Sequence, residues 1–239
     1  MSQSPTFIIA KREFRSNFDS PIAYVVIILS LIGLGLLFFT NYWTINRATV
    51  APLFQWMPWT FIVLIIPAVT MRLLAEERRT GTIELLITMP VRDLDVVLGK
   101  FFATLGLIVV LMVLTIIYPL MISRLGNLDW GPVWIGYIGC LLLASASIAI
   151  GLFFSSLTEN QIVAFMLTII TLVVLFLVDY FFAFISGNVG DAMAFISFQR
   201  RLMPFGRGLL DLRNVVYFLS VTIFFLLLTV RSLESRKWK

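Results

Sequence analysis

Six long apolar segments alternate with short polar segments along the chain. Each apolar segment has roughly the 20 residues that an α-helix needs to cross a hydrocarbon core of about 30 Å. Backbone groups inside a bilayer must pair within their own segment, so the pattern predicts membrane-spanning helices. The predicted fold class is all-α integral membrane, with a single transmembrane domain over residues 1–239. Its predicted spans cover residues 21–40, 58–75, 101–121, 132–154, 162–184 and 215–230.

Composition excludes an ordinary soluble globule. Hydrophobic residues make up 60% of the chain and charged residues 13%, whereas soluble domains are about 45–50% apolar. Residues 1–20 are polar and mixed in charge, and the apolar run after them is too long for a signal-peptide core. We therefore expect span one to remain as an uncleaved anchor.

The basic residues fit membrane topology better than nucleic-acid binding, so no nucleic-acid partner is expected. With both termini in the cytoplasm, twelve of the 18 Lys and Arg residues lie inside and six outside, which satisfies the positive-inside rule. Four of the outside arginines share one external segment and oppose this orientation. Five tryptophans fall at the outer ends of spans, where such rings anchor at lipid headgroups, namely Trp43, Trp56, Trp59, Trp130 and Trp134.

Small and polar residues inside the spans carry further expectations. Arg72, near the inner end of span two, should extend its charge to the interface. Asp179, toward the outer end of span five, is expected to be a satisfied interface residue instead of a pathway residue. Cys140 has no intrachain partner, so no disulfide is expected. Span four should pack closely against its neighbours because it contains Gly139, Ala144, Ser145, Ala146, Ser147, Ala149 and Gly151.

A charged segment over residues 76–95 separates spans two and three. It contains eight ionisable side chains, and a charge at the bilayer centre costs about 2.5–3.5 kcal/mol even on the lenient insertion scale. The segment must therefore lie in water or on the membrane surface, where it can contact a soluble partner. The residues expected to make this contact are Glu76, Glu77, Arg78, Arg79, Thr80, Gly81, Glu84 and Thr88.

Part of this segment has the spacing of an amphipathic helix. A helix from Thr80 to Met89 would place Ile83, Leu86 and Ile87 on one side, which would anchor it to the membrane interface. Pro90 would end that helix. Two acidic residues, Asp93 and Asp95, suit the first turn of the next helix, where they can cap free N–H groups and meet the positive dipole end. The alternative is an ordinary charged cytosolic loop.

Two strings resemble a known family. The run of residues 77–86, followed by Met89-Pro90-Val91-Arg92, resembles the segment after span two in type-2 ABC exporter permeases. Residues 207–218 resemble a stretch before the last span in the gliding-motility-associated permeases. The resemblance implies a subunit of the bacterial inner membrane that pairs with a second six-span permease subunit, as a homodimer or a heterodimer. It also implies two ABC ATP-binding subunits that dock on the interfacial helix; ATP and Mg²⁺ belong to those subunits, and this chain binds no cofactor.

The external segment over residues 186–214 interleaves apolar side chains with four arginines. It predicts a re-entrant or interfacial helical pair with a break at Pro204-Phe205-Gly206. The alternative is an amphipathic surface loop whose arginines bind lipid phosphate. Members of the resembled family carry short external helices that help to close the pathway, which implies the external gate candidates Phe198, Phe205, Arg207 and Asp211.

Catalytic motifs are absent from the sequence. It has no Gly-x-x-x-x-Gly-Lys-Ser/Thr phosphate loop and no histidine, which argues against ATP binding by that route, His-based catalysis and most metal sites. We expect no enzyme activity and no metal site. The predicted function is a permease subunit of a bacterial ABC transporter, with export favoured over import. The alternatives are a permease-like subunit that acts on an envelope or motility machine without moving a solute, and a non-transporting membrane scaffold.

Overall fold

The computed structural model describes residues 4–19, 21–45, 49–81, 92–182 and 195–235, and within these ranges it contains helices and no strands. Six helices are long and apolar enough to cross a membrane, so the predicted fold class is confirmed. The principal helices are α1 (Pro5–Asp19), α2 (Pro21–Ile45), α3 (Ala51–Thr60), α4 (Ile66–Thr70), α5 (Ala75–Arg79), α6 (Asp93–Thr115), α7 (Ile117–Leu125), α8 (Trp130–Leu157), α9 (Gln161–Phe182), α10 (Phe198–Gly206) and α11 (Leu212–Glu234).

Most observed spans are longer than their apolar segments. Span two runs over Ala51–Arg79 and includes α3, α4 and α5, while span three runs over Asp93–Leu125 and includes α6 and α7. Spans one, four, five and six correspond to α2, α8, α9 and α11. Hydropathy marks the part of a helix that faces lipid, but the backbone ladder continues into polar ends. The apolar pattern therefore locates each span and underestimates the length of most of them.

Span four is the centre of the bundle. About three quarters of its most apolar stretch is buried (72%), against 17% for span six. Its glycines let neighbours approach closely. A Cβ on Gly136 would lie 2.5 Å from the Phe54 ring, and one on Gly139 would lie 2.5 Å from Phe205 Cβ. A Cβ on Gly151 would likewise overlap the Thr70 side chain of span two. The predicted close packing of span four is confirmed.

Span two is an interrupted helix. A π-helical turn over Phe61–Ile65 precedes Pro67, which has no N–H to donate, and Ile66 N donates to Phe61 O. A second interruption covers residues 71–74, before α5 begins. Gly81 then has φ 71°, a left-handed conformation that suits glycine at a helix end. Thr80 and Gly81 thus close span two, whereas the sequence pattern placed them at the start of a new helix.

The N-terminal helix α1 packs along the first half of α6. Thr6 Oγ1 donates to Asp95 Oδ1 at 2.6 Å, and Gly99 and Gly106 leave room for Ile9 and Phe14. We had expected residues 1–20 only to be polar and to precede span one. The apolar spacing of Ile9, Phe14 and neighbouring residues was the available signal for this helix.

The segment before span six contains one well-defined helix, α10, which packs on span four through Phe198, Leu202 and Phe205. Pro204 lies inside this helix, and the chain leaves it after Gly206, with Gly208 at φ 81°. The helix therefore ends within the predicted break at Pro204-Phe205-Gly206, at its last residue. Because α10 has three buried apolar residues, it is part of the bundle and not a loose surface loop. Residues 186–194 lie outside the described ranges.

Candidate functional site

Lys100, near the start of α6, lies buried between two carboxylates. Its Nζ is 2.6 Å from Glu77 Oε1 and 3.4 Å from Glu13 Oε1. The lysine side chain is only 3% exposed. Removing an ammonium group from water is unfavourable, and two opposite charges beside it offset that cost. The three residues therefore join the end of span two, the start of span three and α1, and we call this cluster the Lys100 network.

Arg78 joins the same end of span two to spans four and five. Its side chain is 6% exposed. Nη1 donates to Ser156 O at 2.6 Å, and Nη2 lies 3.6 Å from Glu159 Oε1. The Ser156 carbonyl is among the last of α8, where carbonyls have no partner within the helix and favour a cation. Arg78 thus provides both a helix cap and a link between spans.

Ser155 fills the interruption in span two. Its Oγ accepts hydrogen bonds from Leu74 N and Ala75 N, both at 3.0 Å, and donates to Met71 O at 3.2 Å. A hydroxyl has one donor and two acceptor positions, so the capacity of Ser155 is fully used. Span four therefore replaces hydrogen bonds that span two does not make with itself between α4 and α5.

The described residues that were predicted to contact a soluble partner form two groups, one exposed and one that points into the chain. Glu76, Arg79, Thr80 and Gly81 are exposed at the end of the bundle. The remaining described pair, Glu77 and Arg78, points into the chain and makes the contacts given above. The other predicted residues, Ile83, Glu84, Leu86, Ile87 and Thr88, lie outside the described ranges, so their anchoring and contact roles stay predictions.

Asp93 and Asp95 lie in the first turn of α6, as predicted, and suit its dipole. The capping position itself is Arg92, which makes no side-chain capping hydrogen bond. Asp95 instead accepts the Thr6 hydroxyl from α1. The two aspartates therefore have the position predicted for an interaction with the dipole, and the capping position is occupied by Arg92.

The four external gate candidates have separate environments. Phe198 and Phe205 are fully buried, with the Phe198 ring 5.5 Å from that of Phe218. Asp211 caps α11 by accepting from Arg213 N at 2.9 Å. Arg207 is exposed, and its Nη2 lies 3.8 Å from the Met203 sulfur. Their gate role stays a prediction.

Asp179 of span five pairs with Arg200 of α10. The carboxylate Oδ1 is 3.7 Å from Arg200 Nη1, and both side chains are partly exposed. An exposed pair of this kind contributes about 0–1 kcal/mol. This partner agrees with the expected assignment of Asp179 as a satisfied residue.

A cavity of about 420 Å³ lies at the opposite end of the bundle from the Lys100 network. Its walls come from spans two, four and five and from α10, which are far apart in the sequence. Sequence reasoning missed it for that reason, and Trp59, expected only as a headgroup anchor, is part of its wall. Its apolar lining includes Phe54, Pro58, Trp59, Cys140, Phe176, Leu202 and Met203.

Comparison with protein-family models supplies the family. The model described as "ABC-2 family transporter protein" matches residues 46–230, which include spans two to five and most of span six. The chain belongs to this ABC-2 family. It is a multi-pass membrane protein and a permease subunit of an ABC transporter, a class that works with ATP-binding subunits. A comparison with curated proteins gives no match. The gliding-motility subgroup stays a prediction.

Proposed function

We propose that this ABC-2 permease subunit is part of a bacterial exporter in the inner membrane, driven by two separate ATP-binding subunits. Both termini face the cytoplasm, on the side of the Lys100 network. The subunit pairs with a second six-span permease, either another copy or a related chain. ATP and Mg²⁺ bind to the partner subunits, and this chain supplies the spans and the surface on which those subunits dock.

The Lys100 network is the observation that carries this proposal. It places exposed Glu76, Arg79 and Thr80 at the tip of span two, next to the segment over residues 82–91, while buried charges bind that tip to the rest of the bundle. A partner that pushes or pulls on the tip therefore acts on span three and α1 through Lys100. It also acts on spans four and five through Arg78.

Buried ion pairs suit this task because they are costly to break singly. Removing one partner from a buried pair destabilises a protein by about 3–5 kcal/mol. A displacement of span two that kept these pairs intact would therefore be transmitted to the attached helices instead of being absorbed locally. Such a transfer of motion is what a permease needs when ATP binding and hydrolysis take place in another subunit.

A photocrosslinking experiment tests the docking surface. An amber codon at Thr80, an exposed position, would introduce a photoreactive phenylalanine into the full chain in its native host. We expect ultraviolet light to link this position to an ATP-binding subunit, which mass spectrometry identifies. The matched control is Asn127, an exposed position at the opposite end of the bundle, which should give no such product. Crosslinks to an ATP-binding subunit from Asn127 and not from Thr80 would refute the assigned docking side.

Transport itself needs a separate measurement. The purified chain alone should hydrolyse no ATP, and hydrolysis should appear when the crosslinked partner is added. In liposomes, stimulation of hydrolysis by a translocated solute supports an exporter. ATP hydrolysis that no solute stimulates would favour the subunit that acts on an envelope machine. The absence of any ATP-binding partner would favour the scaffold.

A further inference from the structure

The cavity between spans two, four, five and α10 has a buried floor and an exposed mouth. Its floor is formed by four buried residues, Phe54, Cys140, Phe176 and Leu202. At the mouth lie Ala51, Tyr180, Met203 and Arg207, all exposed. The volume of about 420 Å³ lies within the range of about 300–1,000 Å³ that is usual for small-molecule sites. The apolar floor suits a hydrocarbon chain.

Polar groups converge on the wall and mouth. Gln199 Nε2 donates to the Tyr180 hydroxyl at 2.8 Å. The other end of that amide, Gln199 Oε1, is buried and has no hydrogen-bond partner among the described residues. A buried acceptor without a partner is costly and calls for a donor from outside the chain. A ligand with an O–H group would supply that donor.

Arg207 adds a positive charge at the mouth. No carboxylate among the described residues forms an ion pair with it, in contrast to Arg200 of α10, which pairs with Asp179 of span five. Guanidinium groups bind phosphate and carboxylate through several N–H groups at once. The charge of Arg207 thus favours an anionic head at the mouth above an apolar floor.

We propose that this cavity binds a single-chain amphiphile whose head is anionic and also carries an O–H group, as a monoalkyl phosphate does below its second pKa of about 6. The chain lies on the floor beside Phe54 and Phe176. The head lies at the mouth, where Arg207 contacts its anionic oxygens and Gln199 Oε1 accepts its O–H. Binding of such a molecule does not depend on the direction of transport or on the ATP-binding partner.

Tryptophan fluorescence provides a direct test, because Trp59 lines the cavity with its ring 4.9 Å from that of Phe176. The purified chain is placed in nanodiscs of zwitterionic lipid and titrated at about pH 5, where the phosphate is singly ionised, with bromoundecyl phosphate, whose bromine quenches a nearby indole. Bromoundecanol has the same chain and no charge, and bromoundecyl trimethylammonium reverses the charge. Trp59→Phe measures the quenching that comes from the other tryptophans.

We expect saturable quenching by the phosphate, weaker binding of the alcohol and the ammonium compound, and loss of the saturable part in Trp59→Phe. Arg207→Gln should raise Kd for the phosphate roughly tenfold, the effect of one charge-assisted contact. Arg213→Gln is the matched control, since Arg213 is exposed and does not line the cavity. Ala51→Phe, at the exposed mouth, should block binding without disturbing the buried floor.

Several results would overturn the proposal. Equal quenching by the phosphate and the ammonium compound would show that the cavity does not select an anionic head. Equal changes in Kd for Arg207→Gln and Arg213→Gln would show that Arg207 does not contact the ligand. Quenching that does not saturate, or that Ala51→Phe leaves unchanged, would mean that the probes act from the bilayer and that the cavity does not bind them.

Discussion

Ser155 on span four makes three hydrogen bonds to span two through one hydroxyl. Two of them satisfy backbone donors of Leu74 and Ala75, which are almost completely buried. Among the described residues neither donor has another partner, because span two is interrupted between α4 and α5. At the scale of single residues, this side chain therefore determines whether the interruption can exist inside the protein.

Ser155→Ala should lower the stability of the folded chain. It leaves two buried N–H groups unsatisfied, at a cost of about 1–3 kcal/mol each. The expected result is a lower thermal midpoint of the purified protein in detergent. The control is Ser123→Ala, because the Ser123 hydroxyl bonds only Leu120 O in its own helix. Equal midpoints for the two variants would contradict the role given to Ser155, and Ser155→Thr should recover part of the loss.

The sequence predicted which residues form the charged segment, but not which ion pairs they make. Glu77 and Lys100 are separated by the whole segment that joins spans two and three, so nothing local indicates their contact. Ser155 has no sequence signature either, since serine is common in packed spans. Charge patterning predicts that a region lies outside the hydrocarbon core, whereas the folded arrangement decides which charges face a partner and which face each other.

At the scale of elements, α1 is held against α6 by the shape of span three. Gly99 and Gly106 form a shallow surface on which Ile9 and Phe14 lie. Close approach of this kind depends on missing side chains in the same way as other small-residue helix contacts in membranes. The position of α1 is therefore set by apolar packing at two glycines and by the Thr6 and Glu13 contacts.

Gly99→Ala should displace α1. The added Cβ would lie 2.6 Å from Ile9 Cγ2, and overpacking of this type costs about 1–3 kcal/mol. We expect faster trypsin cleavage at Lys11 and Arg12, since a displaced helix unfolds more readily. Gly33→Ala is the control, because nothing lies within 4 Å of the added atom. Adding Ile9→Ala to Gly99→Ala removes Cγ2 but leaves Ile9 Cβ 2.9 Å from the added atom, so it should slow cleavage only in part. Equal cleavage of Gly99→Ala and Gly33→Ala would contradict the role given to Gly99.

The six spans were predictable because length and hydropathy suffice to locate them. The ends of the spans were not predictable, because spans such as Asp93–Leu125 continue past the apolar segment into charged residues. The cavity and the helix α1 were missed for different reasons. The cavity needs four segments brought together, and α1 carries enough charge to resemble a simple polar terminus.

The amphipathic helix predicted around Glu84 remains testable at the same scale. Glu84→Lys changes a hydrated charge, so it should preserve the membrane level of the protein and weaken its association with the ATP-binding subunit. Leu86→Glu places a charge on the apolar side, at a cost of up to a few kcal/mol, and should lower the amount of folded protein. Membrane level and co-purification measure both effects. Wild-type behaviour of Glu84→Lys in both assays would favour an ordinary charged loop.

At the scale of the whole molecule, the proposed orientation puts the Lys100 network inside and the cavity outside. Single cysteines at Ser16, Asn127 and Ser235 in a Cys140→Ser background test it with an impermeant thiol reagent on intact cells. We expect labelling at position 127 only, since Asn127 lies between spans three and four at the cavity end. Permeabilised cells, in which all three should react, provide the control. Labelling of intact cells at 16 or 235 would reverse the orientation.

The interruption at residues 71–74 also has a mechanical consequence. A helix resists bending because each turn is bonded to the next, and span two lacks part of that ladder where Ser155 supplies the bonds instead. Its bending stiffness is therefore reduced there, as it is at the π-helical turn over Phe61–Ile65, and a force on Arg79 reaches the interruption at residues 71–74 first. How much displacement passes on toward the cavity end then depends on the three hydrogen bonds that Ser155 makes.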